Sequence, residues 1–216
     1  MTRTGTVPGP YQYPVNLVLE GRRCLVVGGG AIALRKVEGL LACGAEVTVV
    51  APSVDDRLRA LPGVTVEERT YRQGEVAGYR LAIAATDSPA ANAAVFDDGE
   101  AAGVWVNGAD DPANCSFTLP SVLRRGPLMV TVSTAGRSPA LSRWLRQRLE
   151  AEIGPEFEVL LDLLSSERDL LKAEGRSTEG PGWQNALDSD MLGLIRTGDV
   201  TSAREHLHAC LSSSSD

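Results

Sequence analysis

The pattern of apolar and polar positions predicts a strand, a glycine-rich turn and a helix near the start of the chain. Residues 24–27 form a short apolar run of the kind found in buried strands, and three glycines follow at 28–30. Apolar residues then recur at spacings of three and four, which indicates a helix that ends before Gly44. They are Ala33, Val37, Leu40 and Leu41.

Strand-like and helix-like segments alternate through the first half of the chain. This alternation predicts an α/β fold, a Rossmann-like, doubly wound parallel sheet. Ser53 stands where it can cap the helix that follows it, and Ser88-Pro89 starts the next helix, in which Pro89 suits the first turn. Further strands are expected at 45–50, 64–67 (an edge strand), 81–85 and 104–106, and helices are expected at 54–61 and 89–100. Two segments leave alternatives open: 13–19 is a short strand or an extended lead-in, and 70–79 is a polar loop or a poor helix.

The pattern changes after Pro112. Two β-like runs, 115–123 and 128–133, are joined by Arg124-Arg125-Gly126-Pro127, which predicts a β-hairpin. A loop at 134–139 follows, and the remainder is helical in periodicity. The helices are expected at 140–153, 157–174, 183–196 and 200–211.

The glycine turn carries a nucleotide-binding fingerprint. Gly28 permits the tight turn, Gly30 lets a pyrophosphate approach the backbone, and Ala33 allows the helix to pack closely on the strand. The positive end of the helix dipole and its free N–H groups would face the phosphates. The alternative is a glycine-rich turn that binds nothing.

Ligands of doubly wound sheets bind beyond the carboxyl ends of the strands. That rule selects segments 28–33, 51–53, 86–87 and 107–111, which should meet around one crevice. The second strand ends without an acid for a ribose 2′-hydroxyl and without an arginine for a 2′-phosphate, so backbone groups and Ser53 would serve and NAD is favoured over NADP only weakly.

Two acids and a group of arginines are candidates for chemistry. Asp110 and Asp111 follow the fifth strand, where a carboxylate could accept a proton during hydride transfer or, alternatively, cap an Asp-Pro turn. Residues 119–149 contain six arginines and no acid, which suits a polyanionic ligand or a solvated face paired with acids elsewhere. Arg137 is the strongest candidate because it lies in a Gly/Ser/Pro loop. The arginines are Arg124, Arg125, Arg137, Arg143, Arg146 and Arg148.

Composition narrows the class of protein. The chain has 216 residues, 43% of them hydrophobic, and a net charge of −7, which argues against a general nucleic-acid binder. No apolar run approaches the roughly 20 residues that span a bilayer, and the start lacks the apolar segment of a secretory signal. Four unpaired cysteines suit a reducing cytoplasm, and His206 and His208 are expected on the surface, so no metal site is predicted.

The chain resembles the amino-terminal module of siroheme synthase in its stand-alone form, precorrin-2 dehydrogenase/sirohydrochlorin ferrochelatase. The likeness rests on V-V-G-G-G-A-I-A-L-R-K (26–36), A-A-T-D (84–87), N-G-A-D-D-P-A-N-C-S-F (107–117) and R-R-G-P-L-M-V-T-V-S-T-A-G-R-S-P-A-L (124–141). The last segment is the most specific. It departs from the family at Ala135, where a glycine is expected, and the third segment departs at Gly108, where a larger residue is expected.

The resemblance implies hydride transfer from precorrin-2 to NAD, giving sirohydrochlorin, and in many members insertion of Fe²⁺ to give siroheme. It implies a cytoplasmic homodimer without nucleic-acid or membrane partners. The implied organisation is a flexible arm (1–10), an NAD-binding Rossmann domain (11–115), a dimerisation hairpin and helix (116–150), a helical carboxyl-terminal domain (151–211) and a disordered tail (212–216).

The fingerprint, the strand-end rule, the arginine argument and the resemblance together give the expected site residues; the resemblance itself supplies Asp110, Ala31, Ile32, Pro52, Ser53 and Thr134. The catalytic residue is expected to be Asp110. Residues expected to contact the cofactor are Gly28, Gly30, Ala31, Ile32, Ala33, Pro52, Ser53, Thr86 and Asp87, and those expected to contact the substrate are Asn107, Thr134 and Arg137. Two other classes stay open: a regulatory module that senses NAD(H), and a dehydrogenase of another small metabolite.

Overall fold

The computed structural model describes residues 12–212 of the chain. They divide into two compact units, with the boundary between Leu119 and Pro120. The predicted arm at 1–10 lies outside the described residues, as does the predicted tail at 212–216 except for Ser212, which is helical rather than disordered. No helix among residues 12–212 is long and apolar enough to cross a membrane.

The first unit is built on a five-stranded parallel sheet with the order β3-β2-β1-β4-β5. This arrangement confirms the predicted α/β class, with the third strand at an edge. The strands are β1 Arg23–Val27, β2 Glu46–Ala51, β3 Val64–Glu68, β4 Leu81–Ala84 and β5 Trp105–Gly108. The helices are α1 Ala31–Leu41, α2 Asp56–Arg59 and α3 Pro89–Ala102, and a 3-10 turn spans Pro112–Asn114.

The central strand β1 supplies side chains to both faces of the sheet. Cys24 and Val26 belong to one hydrophobic cluster, and Leu25 and Val27 belong to another, because successive side chains of a strand point to opposite faces. The first cluster includes the buried face of α1, and the second includes Val95 of α3. The sheet is therefore covered on both faces, as parallel sheets usually are.

The second unit begins with the hairpin and continues as helices. Strands β6 and β7 pair antiparallel, and Gly126 takes a left-handed conformation in the turn, with φ of 51°. The helices after α4 enclose a core of their own that includes Leu160, Met191 and Leu207. The elements are β6 Ser121–Arg125, β7 Leu128–Val132, α4 Pro139–Glu152, α5 Glu156–Ala173, α6 Pro181–Leu187, α7 Met191–Arg196 and α8 Val200–Ser212.

Several local predictions were wrong. Helix α2 is shorter than expected and is capped by Asp55, whose side chain accepts a hydrogen bond from the Arg57 N–H, so Ser53 is not its cap. The hairpin strand starts at Ser121 rather than at Cys115, which forms only an isolated bridge with Asn107. The helix expected at 183–196 is two helices, α6 and α7, with a break at 188–190. Two predictions had left alternatives open: residues 13–19 contain no strand and so form the extended lead-in, and residues 70–79 form the loop rather than a helix.

Candidate functional site

The glycine turn between β1 and α1 is in contact with the ends of the two neighbouring strands. The Gly28 N–H donates a hydrogen bond to the Val50 carbonyl oxygen at 3.0 Å. A Cβ on Gly28 would lie 2.2 Å from the Ala85 oxygen, and Gly28 has a φ of 131°. Only glycine fits here, because both the conformation and the close backbone contact exclude a side chain.

The amino terminus of α1 has no cap from the protein among the described residues. Gly30 occupies the cap position without a side-chain hydrogen bond, and a Cβ on it would meet nothing within 4 Å. By contrast, the caps of α2, α3 and α4 are the side chains of Asp55, Ser88 and Ser138. The first N–H groups of α1 therefore face open space, which is the arrangement that a pyrophosphate needs.

The remaining residues of the fingerprint have distinct positions on α1. Ala31 and Ile32 are exposed at its first turn, whereas Ala33 is fully buried against the sheet. The structure thus places Ala31 and Ile32 beside the open N–H groups, and it places Ala33 where a larger side chain would separate helix and strand.

The segment after β2 closes one side of the glycine turn. Pro52 and Ser53 are exposed, and the Asp55 N–H donates a hydrogen bond to the Gly29 oxygen at 2.8 Å. An acid therefore does lie near this turn, although sequence reasoning found none. Its carboxylate is engaged by Arg57, whose hydrogen bonds lower the pKa of Asp55 to about 2. The D-D-R-L-R pattern was the available signal for this cap.

Thr86, at the end of β4, is fixed by a buried asparagine that sequence reasoning missed. The Thr86 hydroxyl and the Asn92 Oδ1 are 2.8 Å apart, and the Asn92 Nδ2 donates to the Thr86 oxygen at 3.0 Å. Asn92 lies on α3 and is buried. Asp87 is exposed next to this pair. The Ala109 N–H also donates to the Ala84 oxygen at 2.8 Å, which joins the β5 loop to the same edge of the sheet.

The two acids after β5 have different environments. The Asp111 Oδ2 accepts a hydrogen bond from the Asn114 Nδ2 at 2.6 Å, as expected of a turn-capping side chain. Asp110 is exposed, and its carboxylate has no hydrogen bond or ion pair with any residue from 12 to 212. Asp110 also has a φ of 58°, a conformation that residues other than glycine rarely adopt. Of the two, only Asp110 is available to a ligand.

Asn107 is buried and used internally. Its Nδ2 donates to the Phe117 oxygen at 3.0 Å and lies 3.5 Å from the Cys115 Sγ. Its amide therefore holds the chain that returns after the 3-10 turn, and this geometry gives it no free N–H for a substrate.

Lys36 brings a cation to the loop that contains Asp110. It is half-buried on α1, and burial is the main cause that lowers the pKa of its ammonium group, followed by the charge of Arg35. The charges of Asp110 and Cys115 act in the opposite direction. The site of the first unit thus combines an open helix terminus, a free carboxylate and a half-buried lysine.

In the second unit, Thr134 organises the loop that precedes α4. Its hydroxyl oxygen accepts a hydrogen bond from the Ser138 N–H at 3.1 Å, and its carbonyl accepts one from the Arg137 N–H at 3.0 Å. Ala135 has a φ of 51°, which explains why a glycine is the expected residue there. The Arg137 side chain is exposed and has no partner among the described residues.

The six arginines do not form one group. Arg125 donates to the Ile153 oxygen at 2.9 Å and so binds the carboxyl end of α4, Arg146 pairs with Glu150, and Arg148 lies over the Trp144 ring at 5.1 Å. The side chains of Arg137 and Arg143 have no such partner within residues 12–212. Arg124 is also not without a partner, so the alternative of a paired, solvated face fits four of the six and leaves Arg137 and Arg143 for a ligand.

Within the described part of the chain, no group of three or more His, Cys, Asp or Glu side chains could hold a metal ion. His206 and His208 are both exposed, as predicted, but the His208 Nδ1 is 2.7 Å from an oxygen of the buried Glu167.

Two family models match the chain. Residues 15–121 match the family described as "Putative NAD(P)-binding", and residues 125–152 match the family described as "Sirohaem biosynthesis protein central". The first unit is therefore a domain of the NAD(P)-binding class, as its open helix terminus and glycine turn indicate.

Similar proteins agree with both matches. Siroheme synthase 2 of Aeromonas salmonicida is 39% identical over 90% of this chain, and siroheme synthase of Nitrosococcus oceani is 36% identical over 92% of it. The chain covers 42% and 43% of those two proteins, less than half of their length. The solved structure of SirC, precorrin-2 dehydrogenase, is 26% identical to this chain and has a TM-score of 0.67. The match covers 93% of this chain and 100% of the SirC chain. The chain is thus similar to siroheme synthases over most of its own length and to a precorrin-2 dehydrogenase over the whole of that protein.

Proposed function

We propose that this chain is an NAD-dependent dehydrogenase that oxidises precorrin-2 to sirohydrochlorin. The observation that carries the proposal is the position of Asp110, a carboxylate without a partner in the described chain, in the loop after β5 at the same sheet edge as the open terminus of α1. The printed name of the similar solved structure, precorrin-2 dehydrogenase, supports the same reaction.

The cofactor fits the residues at this edge of the sheet. The backbone of Gly30, Ala31 and Ile32 would hold the pyrophosphate, and Pro52 and Ser53 would line the adenosine side. NAD supplies the hydride acceptor when it is bound. The Asp55 carboxylate near this side is paired with the Arg57 guanidinium, so this pair does not by itself select NAD over NADP.

The oxidation removes one hydride and one proton from the substrate. Bound NAD would supply the acceptor for the hydride and its electron pair, and the proton needs a base. Asp110 is the exposed carboxylate that can accept it, since Asp111 is engaged by Asn114. Thr86, fixed by Asn92, and the exposed Asp87 complete the cofactor side at the end of β4.

The substrate is a polycarboxylate, and the second unit offers arginines that can bind carboxylates. Arg137 and Arg143 are the exposed members without a partner in the described residues, and Thr134 fixes the backbone of the Arg137 loop. We assign Arg137 and Thr134 to substrate binding on this basis. Asn107 is reassigned to support of the Asp110 loop, because its amide is buried and hydrogen-bonded.

A homodimer is part of the proposal. Helix α4 has no buried residue, although Leu141 and the 52% exposed Trp144 lie on it, and Leu123 is the only buried residue of the hairpin strands. A second copy of the chain would cover this apolar surface. We expect light scattering to give the mass of a dimer and Trp144→Glu to give a monomer. Leu170→Glu, at an equally exposed leucine on α5, is the control that should stay dimeric.

The test of the reaction is anaerobic incubation with precorrin-2 and NAD, following NADH and the tetrapyrrole spectrum. We expect Asp110→Asn to lower kcat by about 100-fold or more, because general-base catalysis typically contributes that much. Asp111→Asn is the matched control and should stay within about tenfold of wild type, since an amide oxygen can still accept from Asn114.

The same assay separates the alternatives. Binding of NAD without NADH formation would favour a sensor of NAD(H), and NADH formation only with other metabolites would favour a different dehydrogenase. Addition of Fe²⁺ after the oxidation, compared with a protein-free control, decides whether the chain also inserts iron. In that reaction iron is a substrate held by the tetrapyrrole nitrogens.

A further inference from the structure

Asp110 has an unfavourable backbone conformation that its own side chain does not stabilise. A residue other than glycine with a φ near 58° is destabilised by roughly 1–2 kcal/mol relative to its ordinary conformations. Asparagine and aspartate tolerate this region when their side chains bond locally, but the Asp110 carboxylate has no bond within the described chain. Neighbouring residues must therefore hold the turn.

The Cys115 thiol contacts both ends of this turn. Its Sγ lies 3.3 Å from the Gly108 oxygen and 3.2 Å from the Asp111 oxygen, the carbonyls that bracket Asp110 in the chain. The Asn107 Nδ2 lies 3.5 Å from the same sulfur. One side chain thus joins the start of the turn, its end and the buried asparagine before it.

The thiol remains protonated at neutral pH, and this protonation suits its position. Burial is the main cause that raises the pKa of Cys115, and the Asp111 charge raises it further, whereas Lys36 acts in the opposite direction. Both carbonyl oxygens are acceptors, so only the S–H form can bond to them. A thiolate would be repelled by the same two oxygens.

The turn is closed tightly around this thiol. A Cβ on Gly108 would lie 2.9 Å from the Asn114 oxygen and 3.1 Å from the Asp111 oxygen. This contact explains the glycine at a position where the family resemblance suggested a larger residue. The Asn114 N–H also donates to the Asp111 oxygen at 3.1 Å. Little room is left for the turn to relax without the sulfur contacts changing.

We propose that Cys115 is a positioning residue for Asp110: by joining the Gly108 and Asp111 carbonyls, its side chain holds Asp110 in the left-handed conformation that directs the carboxylate away from the loop. The inference rests on the proposed function for its catalytic consequence, and on the loop geometry alone for its structural one. Cys115 contacts neither substrate nor cofactor in this account.

The first test replaces the thiol and separates kcat from KM. We expect Cys115→Ala to lower kcat for precorrin-2 oxidation about tenfold, because small misplacements of a reacting group are costly, with the Kd of NAD within twofold of wild type. Cys115→Ser retains a donor and should recover most of kcat. Cys43→Ala, at a partly exposed cysteine that packs on the sheet core just past the carboxyl end of α1, is the matched control and should leave kcat unchanged. A Cys115→Ala enzyme with wild-type kcat, whatever its stability, would overturn the proposal.

The second test does not depend on activity. The Cα and Cβ chemical shifts of Asp110 report its backbone conformation, and selective aspartate labelling makes them measurable. We expect the Asp110 chemical shifts to differ from wild type in Cys115→Ala and to equal those of wild type in Cys43→Ala. Wild-type shifts in both variants would refute the positioning role. If wild type makes no NADH, the proposed function fails while this measurement still decides whether Cys115 holds Asp110.

Discussion

A Cβ on Gly29 would lie 2.1 Å from the backbone oxygen of Ser53, so the glycine turn and the segment after β2 touch without room for a methyl group. Three consecutive glycines in this turn therefore do different things. Gly28 and Gly29 are required by backbone contacts within the fold, whereas Gly30 faces open space. Gly28 and Gly29 therefore contribute to the stability of the fold, and we infer that Gly30 contributes to cofactor binding.

We predict opposite outcomes for alanine at the second and third glycines. Gly29→Ala should lower the free energy of unfolding by about 3 kcal/mol or more, because backbone atoms must shift to admit the methyl group. Gly30→Ala should leave it within roughly 0.5 kcal/mol yet weaken NAD binding about tenfold or more, because the methyl group projects where the pyrophosphate would lie. Urea denaturation and calorimetric titration measure the two quantities. Equal destabilisation by both variants would contradict the account.

The cap of α2 predicts a pH-dependent contribution to stability. The pKa of Asp55 is lowered from 3.8 to about 2 by hydrogen bonds from Arg57, so the ionised form is favoured in the folded state. Its stabilisation is therefore complete above pH 3.8 and is lost as the pH falls towards 2. We expect the Tm of Asp55→Ala to be lower than that of wild type at pH 7. The difference in Tm should disappear between pH 4 and pH 2.

The neighbouring acid provides the control for this measurement. Asp56 is fully exposed and lies 3.9 Å from Arg59, so Asp56→Ala should change Tm little at any pH. A gap for Asp55→Ala that persists undiminished at pH 2 would assign the effect to something other than the carboxylate.

Ala135 is expected to be a site of strain that glycine relieves. Its φ of 51° destabilises alanine by about 1–2 kcal/mol, and glycine loses part of that gain through its greater freedom in the unfolded chain. We predict that Ala135→Gly raises the free energy of unfolding by about 1 kcal/mol. Ala151→Gly, in the exposed last turn of α4, should lower it by a similar amount, since glycine disfavours helices. Urea denaturation decides the sign of each.

The two histidines of α8 should differ sharply in their effect on stability. His208 supplies the hydrogen bond to the buried Glu167, so His208→Ala should destabilise the protein by about 1–3 kcal/mol, the usual result of leaving a buried acceptor unpaired. His206→Ala should stay within roughly 0.5 kcal/mol of wild type, because its one polar contact within residues 12–212 is a 3.6 Å approach to the Cys210 sulfur. If His208→Ala and His206→Ala lowered the Tm by the same amount, the predicted difference between the two histidines would be wrong.

The fold was predictable from the sequence wherever one signal dominated. The strand, glycine turn and helix around Gly28 and the helix that starts at Ser88-Pro89 appear as expected, since the hydrophobic period and the residues at the helix starts agree there. Where two signals competed, prediction was wrong: Ser53 and Asp55 are both residue types that cap helices well, and in the structure Asp55 caps α2.

The site was predictable as a set of segments but not as chemistry. Its four segments follow from the strand ends, and hydrogen bonds from Gly28, Asp55 and Ala109 join them. The separate roles of Asp110 and Asp111 were not predictable, because they depend on one left-handed residue and on the distant partner Asn114. Asn92 and Glu167 were missed for a related reason: burial of a polar side chain with its partner leaves no local pattern.

The central position of β1 determines whether the glycine turn stays folded when other parts of the first unit open locally. Its backbone is hydrogen-bonded to β2 on one side and to β4 on the other, and residues 24–27 are buried. Amide protons of such a strand exchange with solvent only when the whole unit unfolds. Because Gly28 continues directly from β1 and is bonded to Val50, the turn is attached to the last part of the unit to open. Local unfolding of an edge strand such as β3 therefore leaves the glycine turn folded.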